Sequence, residues 1–191
     1  MSRLQNLQSR PSLNRGVTLW FTGLPSSGKS TVARTLERAL RKWQVPVELL
    51  DGDVVRTHLS KGLGFSREDR DTNVKRIGFV CQLLTRHGIV AIASAVSPYR
   101  ETRDSNRRLI GQYIEIYVKA SVAACEKRDV KGLYQLAKQG KIGNFTGVSD
   151  PYEEPLKPDV VCETEKESVE ESAEKVIQCL EQQGYLAWPE A

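Results

Sequence analysis

An α/β sandwich with one parallel sheet of five strands and helices on both faces is what this sequence predicts, and three observations carry that reading. Short apolar, β-branched runs alternate along the chain with amphipathic helical patterns, the rhythm of strand–helix–strand units. The strand runs are continuously apolar, as strands covered on both faces must be. The chain has 191 residues, enough for one domain around one core, with 39% hydrophobic and 27% charged residues.

Residues 17–21 form the first strand, ending in Thr22-Gly23. Val32, Leu36, Ala39, Leu40 and Trp43 then recur at helical spacing from Ser30 onward. A second strand over residues 46–50 runs into Asp51-Gly52-Asp53. A long helix starts near Glu68, with Ser66 and Asp69 spaced as a capping box and Val74, Ile77, Cys81 and Leu84 on one face. The third strand, residues 89–96, leads to Ser97-Pro98, with Pro98 expected in the first turn of the next helix. Residues 113–118 and 160–162 supply the fourth and fifth strands. The last helix opens with Ser168 and Glu171 and turns Val169, Ala173, Val176, Ile177 and Leu180 inward. Residues 129–158 break the rhythm: rich in glycine and proline, with a short helix at most over residues 133–138, they read as a lid. Residues 1–15 read as a flexible tail and residues 16–191 as a single domain.

Composition excludes several classes. The balance of 28 basic and 24 acidic residues gives +4, too small and dispersed for a nucleic-acid binder yet suited to small anionic ligands. No apolar run approaches the ~18 residues of a membrane span, and the polar N-terminus lacks a secretory signal's apolar region, so the expected location is the cytoplasm. Cys81, Cys125, Cys162 and Cys179 are widely spaced and read as buried free thiols, not as a zinc site or disulfide framework.

The chemistry is concentrated first in Gly23-Leu24-Pro25-Ser26-Ser27-Gly28-Lys29-Ser30, which matches G-x-x-x-x-G-K-[ST] at every required position. The glycines let backbone N–H groups turn inward toward phosphate oxygens, and Lys29 adds charge near the β- and γ-phosphates. Ser30 offers Mg²⁺ a hard oxygen, and the helix continuing through Thr31 presents its positive end. A random window matches roughly 4 times in 10⁵, or below about 1% for the whole chain. Its position between a buried strand and a helix is the one that a nucleoside-triphosphate site requires, and it places the chain in the P-loop hydrolase/kinase fold.

On the acceptor side, Asp51 and Asp53 at a strand's carboxyl end can orient Mg²⁺ waters and take a proton from a hydroxyl, while Arg56 can fork onto an anion. Asp-Gly-Asp is equally good turn and helix-cap chemistry. Arg70 and Asn73 share a helix face beyond Phe65 and can be either ligand contacts or a solvated helix start. Ser97 is a natural N-cap that can also face a ligand.

The pieces GVTLWFTGLPSSGKST, LLDGDVVR, LGFSREDRDTN, VSPYR, CEKRDVKGLY and NFTGVSDPYEEP together resemble the adenylylsulfate kinases over residues 16–183. The resemblance implies transfer of the ATP γ-phosphoryl to the 3′-hydroxyl of adenosine 5′-phosphosulfate, with Mg²⁺, in a homodimeric stand-alone kinase. It implies an acceptor site of Asp53, Arg56, Phe65, Arg70, Asn73, Lys131 and Phe145, with Val96, Ser97 and Asn144 beside them. Phe65 and Phe145 would clamp the adenine, Arg56, Arg70 and Lys131 would meet the phosphosulfate, and Arg128 would lie near the ATP adenine. Ser97 holds the position the family labels a phosphoserine intermediate. Direct in-line transfer needs no carrier, so Ser97 reads as shaping the acceptor site, with Asp53 the base or orienter. The chain departs from the family at Pro25-Ser26-Ser27, where Pro25 removes one N–H, and at Val54 and Val96. Rival readings are a P-loop kinase for a nucleoside monophosphate or sugar acid, and a nucleotide-binding regulator without activity. Two phenylalanines beside three cations favour an anionic nucleotide, and intact Lys29, Ser30, Asp53 and Arg56 favour catalysis.

Overall fold

A computed structural model describes residues 10–189. Its main sheet contains β2 (Val17–Thr22), β3 (Val47–Asp51), β4 (Val90–Ser94), β5 (Tyr113–Lys119) and β6 (Val160–Glu163), in the order β3-β4-β2-β5-β6. Every pairing is parallel. β2 is central and buried at all six positions, which explains its unbroken apolar run. Its residues alternate between two cores. Leu19 and Phe21 join the apolar stripes of α1 (Lys29–Lys42) and α7 (Val169–Gln182), while Trp20 packs with Val74, Ile77 and Cys81 of α3 (Arg67–Arg86) and Ile110 of α4 (Arg100–Ile110).

Local signals place the helix starts. Ser66 Oγ accepts the Asp69 N–H, and Ser168 and Glu171 form a reciprocal capping box. α2 (Gly52–His58) is capped by Asp51, whose side chain accepts the Asp53 N–H. α5 (Val122–Lys127) and α6 (Leu133–Lys138) bracket the start of the lid, α6 covering the residues expected for its short helix. All four cysteines are buried and free.

Three expectations need correction. Residues 12–13 are not tail: β1 (Ser12–Leu13) pairs antiparallel with β7 (Leu186–Ala187), because Leu13 packs against the core that its partner Leu186 belongs to. The rest of the expected tail, residues 1–9, lies outside the described residues. Ser97 is not a helix cap, and Pro98 is not in the first turn of α4. That helix begins at Arg100 with Tyr99 at its N-cap position, and Ser97 adopts a left-handed φ of 43°. Arg70 and Asn73 are not a solvated helix start; both are buried.

Candidate active site

The loop after β2 occupies the carboxyl edge of the sheet at the strand where the order changes direction, flanked by β4 and β5, the place where open α/β sheets bind ligands. Gly23 cannot be another residue there: a Cβ would lie 2.5 Å from the Val118 carbonyl oxygen. Ser26 and Gly28 have φ of 61° and 102°, the left-handed turns that close the loop before α1. No side chain caps α1 and no acidic residue stands in its first turn, so its N–H groups face the loop without a competing carboxylate. Lys29 Nζ donates to the Gly23 and Leu24 carbonyls at 3.1 and 2.7 Å. Burial pulls its pKa from 10.5 down to about 8, opposed by Cys125, Asp51 and Asp53. Ser27 Oγ is buried without a partner. Thr31 is exposed in the first turn of α1.

Two contacts that sequence reasoning missed brace the loop. Thr164, just beyond β6, donates from Oγ1 to the Ser27 carbonyl at 2.8 Å and accepts from Arg128 Nη1 at 2.9 Å. Tyr134 of α6 donates to the Pro25 carbonyl at 3.0 Å, tying the lid to the loop. Thr164 lies at a strand's carboxyl end, which was the available signal; Tyr134 gave none, because its contact spans 109 residues.

A set of hard oxygens lies beside the loop. Ser30 Oγ is 3.4 Å from Ser94 Oγ, and Ser94 is the register partner of the buried Asp51. Asp51 Oδ1 accepts the Asp53 N–H at 3.1 Å and Oδ2 accepts from Arg34, also at 3.1 Å. The alternatives left open by Asp-Gly-Asp thus divide. Asp51 is the cap, while Asp53, in the first turn of α2, is largely exposed and pairs with Lys131 Nζ at 2.6 Å from the lid.

Arg56 stacks over Phe65 with 4.3 Å from guanidinium to ring centroid, and donates to the Gly64 carbonyl at 3.2 Å. Arg70 lies 5.8 Å from the same ring. Burial lowers the pKa of both arginines, and for Arg56 the neighbouring Arg70 charge lowers it further, a positive field around an exposed aromatic face. Arg70 also fastens the lid: it donates to Thr146 Oγ1 at 2.6 Å and to the Asn144 carbonyl, and faces Asp150 at 3.7 Å. Asn73 is buried with Oδ1 unpartnered. Phe145 is buried edge-on against Tyr134, with centroids 4.9 Å apart. The structure therefore gathers Arg56, Phe65 and Arg70, and joins Asp53 to Lys131. It places Phe145 in a small core that the lid shares with Leu24, Ala120 and Cys125.

Ser97 is committed elsewhere. Its Oγ accepts from Trp20 Nε1 at 3.0 Å and donates to Thr22 Oγ1 at 3.0 Å, and the residue is 3% exposed. Val96 lies beside it with its carbonyl bonded to Thr22 Oγ1 at 2.8 Å.

A parallel sheet with this loop at its switch point, and a cationic site with an exposed carboxylate beside it, defines a P-loop kinase, a nucleotide-binding phosphotransferase. The adenylylsulphate kinase family profile matches residues 15–163. An adenylyl-sulfate kinase of Gloeothece citriformis is 57% identical over 172 residues, 90% of this chain and 98% of that one. One from Rippkaea orientalis is 55% identical over 177 residues, covering 93% and 98% of the two chains. The solved structure of the Mycobacterium tuberculosis APS kinase in complex with AMPPNP and APS superposes with a TM-score of 0.85 at 40% identity, covering 87% of this chain and 98% of that one. The chain belongs to the adenylylsulphate kinase family. A Sinorhizobium meliloti gluconokinase, 17% identical with a TM-score of 0.59, shares the fold alone.

Proposed function

We propose that the chain transfers the γ-phosphoryl group of ATP to the 3′-hydroxyl of adenosine 5′-phosphosulfate, giving 3′-phosphoadenosine 5′-phosphosulfate and ADP. The observation that carries this reading is the likeness, over nearly the whole chain, to a relative solved with AMPPNP and APS. The neighbourhood of the loop supports it: an exposed carboxylate, Asp53, and the Arg56–Phe65–Arg70 cluster offer a proton acceptor and an anion-binding aromatic surface.

In this reading residues 23–31 cradle the ATP phosphates through backbone N–H groups, of which Pro25 offers none, and through Lys29, with Arg128 beside the adenine. Arg56, Arg70 and Lys131 receive the phosphosulfate, and Phe65 and Phe145 the acceptor adenine, with Asn73, Val96, Ser97 and Asn144 shaping the pocket. Mg²⁺ fits the hard-oxygen set, with Ser30 Oγ as ligand and Asp51, already bonded through both oxygens, ordering its waters. When bound it supplies charge neutralisation on the phosphates. Asp53 takes the 3′-hydroxyl proton as that oxygen attacks the γ-phosphorus and the bond to the β-phosphate oxygen breaks, leaving ADP. The Lys131–Asp53 pair is exposed on both sides and worth about 1 kcal/mol or less, so the anionic acceptor can draw Lys131 away and free the carboxylate. The homodimer and a cytoplasmic location belong to the same reading; among the described residues no helix is long and apolar enough to cross a membrane.

Calorimetric titration in the presence of a non-hydrolysable ATP analogue tests the acceptor. Adenosine 5′-phosphosulfate should bind at least ~10-fold more tightly than AMP, one extra charge-assisted contact, and gluconate should not bind. Equal or tighter binding of AMP would contradict the assignment.

A further inference from the structure

We propose that Arg103, which none of the sequence patterns singled out, is a positioning residue that locks the left-handed turn at Ser97 and the segment closing the lid into one rigid wall of the acceptor site. The proposal rests on the function proposed above for what that wall serves, and on geometry alone for the wall itself.

Arg103 sits one turn into α4 and is 1% exposed, an unusual place for a guanidinium. Its charge is matched by Glu115 on β5, Nε to Oε1 at 2.8 Å. Its two remaining nitrogens do not add to that ion pair. Nη1 donates to the Ser97 carbonyl at 2.6 Å and Nη2 to the Glu153 carbonyl at 2.7 Å, while the group lies 5.8 Å from the Tyr152 ring. One planar fork thus holds a strand-end turn and the lid's return segment at a fixed separation. Secondary ties follow the same line. Glu153 N–H donates to the Pro98 carbonyl at 2.9 Å, Arg100 N–H to Glu153 Oε2 at 2.8 Å, and Tyr152 and Thr22 share a hydrogen bond of 2.9 Å.

The turn needs such a holder. Ser97 has a φ of 43°, a strained conformation for a residue with a Cβ, which persists only where surrounding contacts over-determine it. Trp20 and Thr22 hold its hydroxyl, and Arg103 holds its carbonyl. The lid begins near Asp129 and is pinned again at residues 152–153, so Arg103 fixes the end from which the lid must close. Lysine in its place keeps the charge beside Glu115 but has no fork to reach both carbonyls.

Arg103→Lys and Glu115→Gln separate positioning from mere stability, because both weaken the same buried pair and only the first removes the carbonyl contacts. In amide hydrogen exchange on the ligand-free protein, Arg103→Lys should speed the Arg100 and Glu153 amides ~10-fold or more while leaving residues 28–36 of α1 unchanged. Glu115→Gln should lower Tm without that selective change. In steady-state assays Arg103→Lys should lower kcat/KM for adenosine 5′-phosphosulfate by ~10- to 100-fold, the cost of a small misplacement, with KM for ATP within about twofold. Exchange that rises evenly over the molecule, or Arg100 and Glu153 amides that do not change, would overturn the proposal. So would equal losses on the ATP and acceptor sides, or a Glu115→Gln variant as defective toward the acceptor as Arg103→Lys. A wild-type protein inactive with adenosine 5′-phosphosulfate would instead refute the function, and the exchange result would still decide the wall.

Discussion

Lys29 shows how folding prepares a residue for an anion. Burial lowers its pKa from 10.5 to about 8, against the opposing pull of Cys125, Asp51 and Asp53. Between about 8 and 10.5 the unfolded chain keeps a proton that the folded one has lost, so this group makes stability rise with pH across that window and costs stability below it. On the proposed function, a triphosphate beside Lys29 raises that pKa again, so above about pH 8 its binding brings a proton back. Calorimetry in buffers of different ionisation enthalpy should therefore show proton uptake on ATP binding at pH 9 and almost none at pH 7; no difference between the two would mean that Lys29 does not meet the phosphates. Asp53 and Ser97 make the sharper contrast. On the proposed mechanism Asp53→Ala abolishes turnover with ATP affinity preserved. Ser97→Ala keeps substantial turnover but loses ~1–3 kcal/mol of stability, because the buried Trp20 N–H is left unpaired. Turnover assays and thermal denaturation of the two variants check this. Near-total loss in Ser97→Ala, with an acid-stable phosphoserine in the parent, would restore a covalent carrier. The P-loop residues were legible because their function needs them contiguous. The state of Ser97 was not, because it is imposed by Trp20, Thr22 and Arg103, six to 77 residues away.

At the scale of elements, strands and helices were readable where burial writes a period into the sequence. β2 and α7 fell close to their expected bounds because one is buried throughout and the other carries both an apolar stripe and a capping box. The β1–β7 pair was not readable: two strands of two residues each carry no period, and they meet across 175 residues. The close approach of α3 and α4 was also hidden. Gly78 is the point of contact, where a Cβ would lie 2.3 Å from Asn106 Oδ1, and the Asn106 amide is held by its bond of 3.0 Å to the Val74 carbonyl. Gly78→Ala should push the helices apart and cost ~1–3 kcal/mol by overpacking, measured as a lower denaturant midpoint with unchanged slope. A variant as stable as the parent would mean that Asn106 can swing aside freely.

For the whole molecule, the sheet order brings residues from every part of the chain to one edge. The phosphate loop follows β2, Asp53 follows β3, the Ser97 turn follows β4, Arg128 follows α5 and Thr164 follows β6. No local pattern gives their mutual placement; the parallel topology does, since each strand delivers its carboxyl end to the same side. The lid crosses that edge and is tied at several points, through Tyr134 to the loop, Lys131 to Asp53, Arg70 to residues 144–150 and Arg103 to Glu153. On the proposed function the donor and acceptor sites share this one cover, and its closing would exclude water from both. The most direct measurement is ADP release from Mg·ATP by the purified protein, with adenosine 5′-phosphosulfate, AMP, gluconate or no acceptor, together with the position of the new phosphate. The account predicts release with the phosphosulfate alone and a product phosphorylated on its 3′-oxygen. Release with AMP or gluconate but none with the phosphosulfate would contradict it.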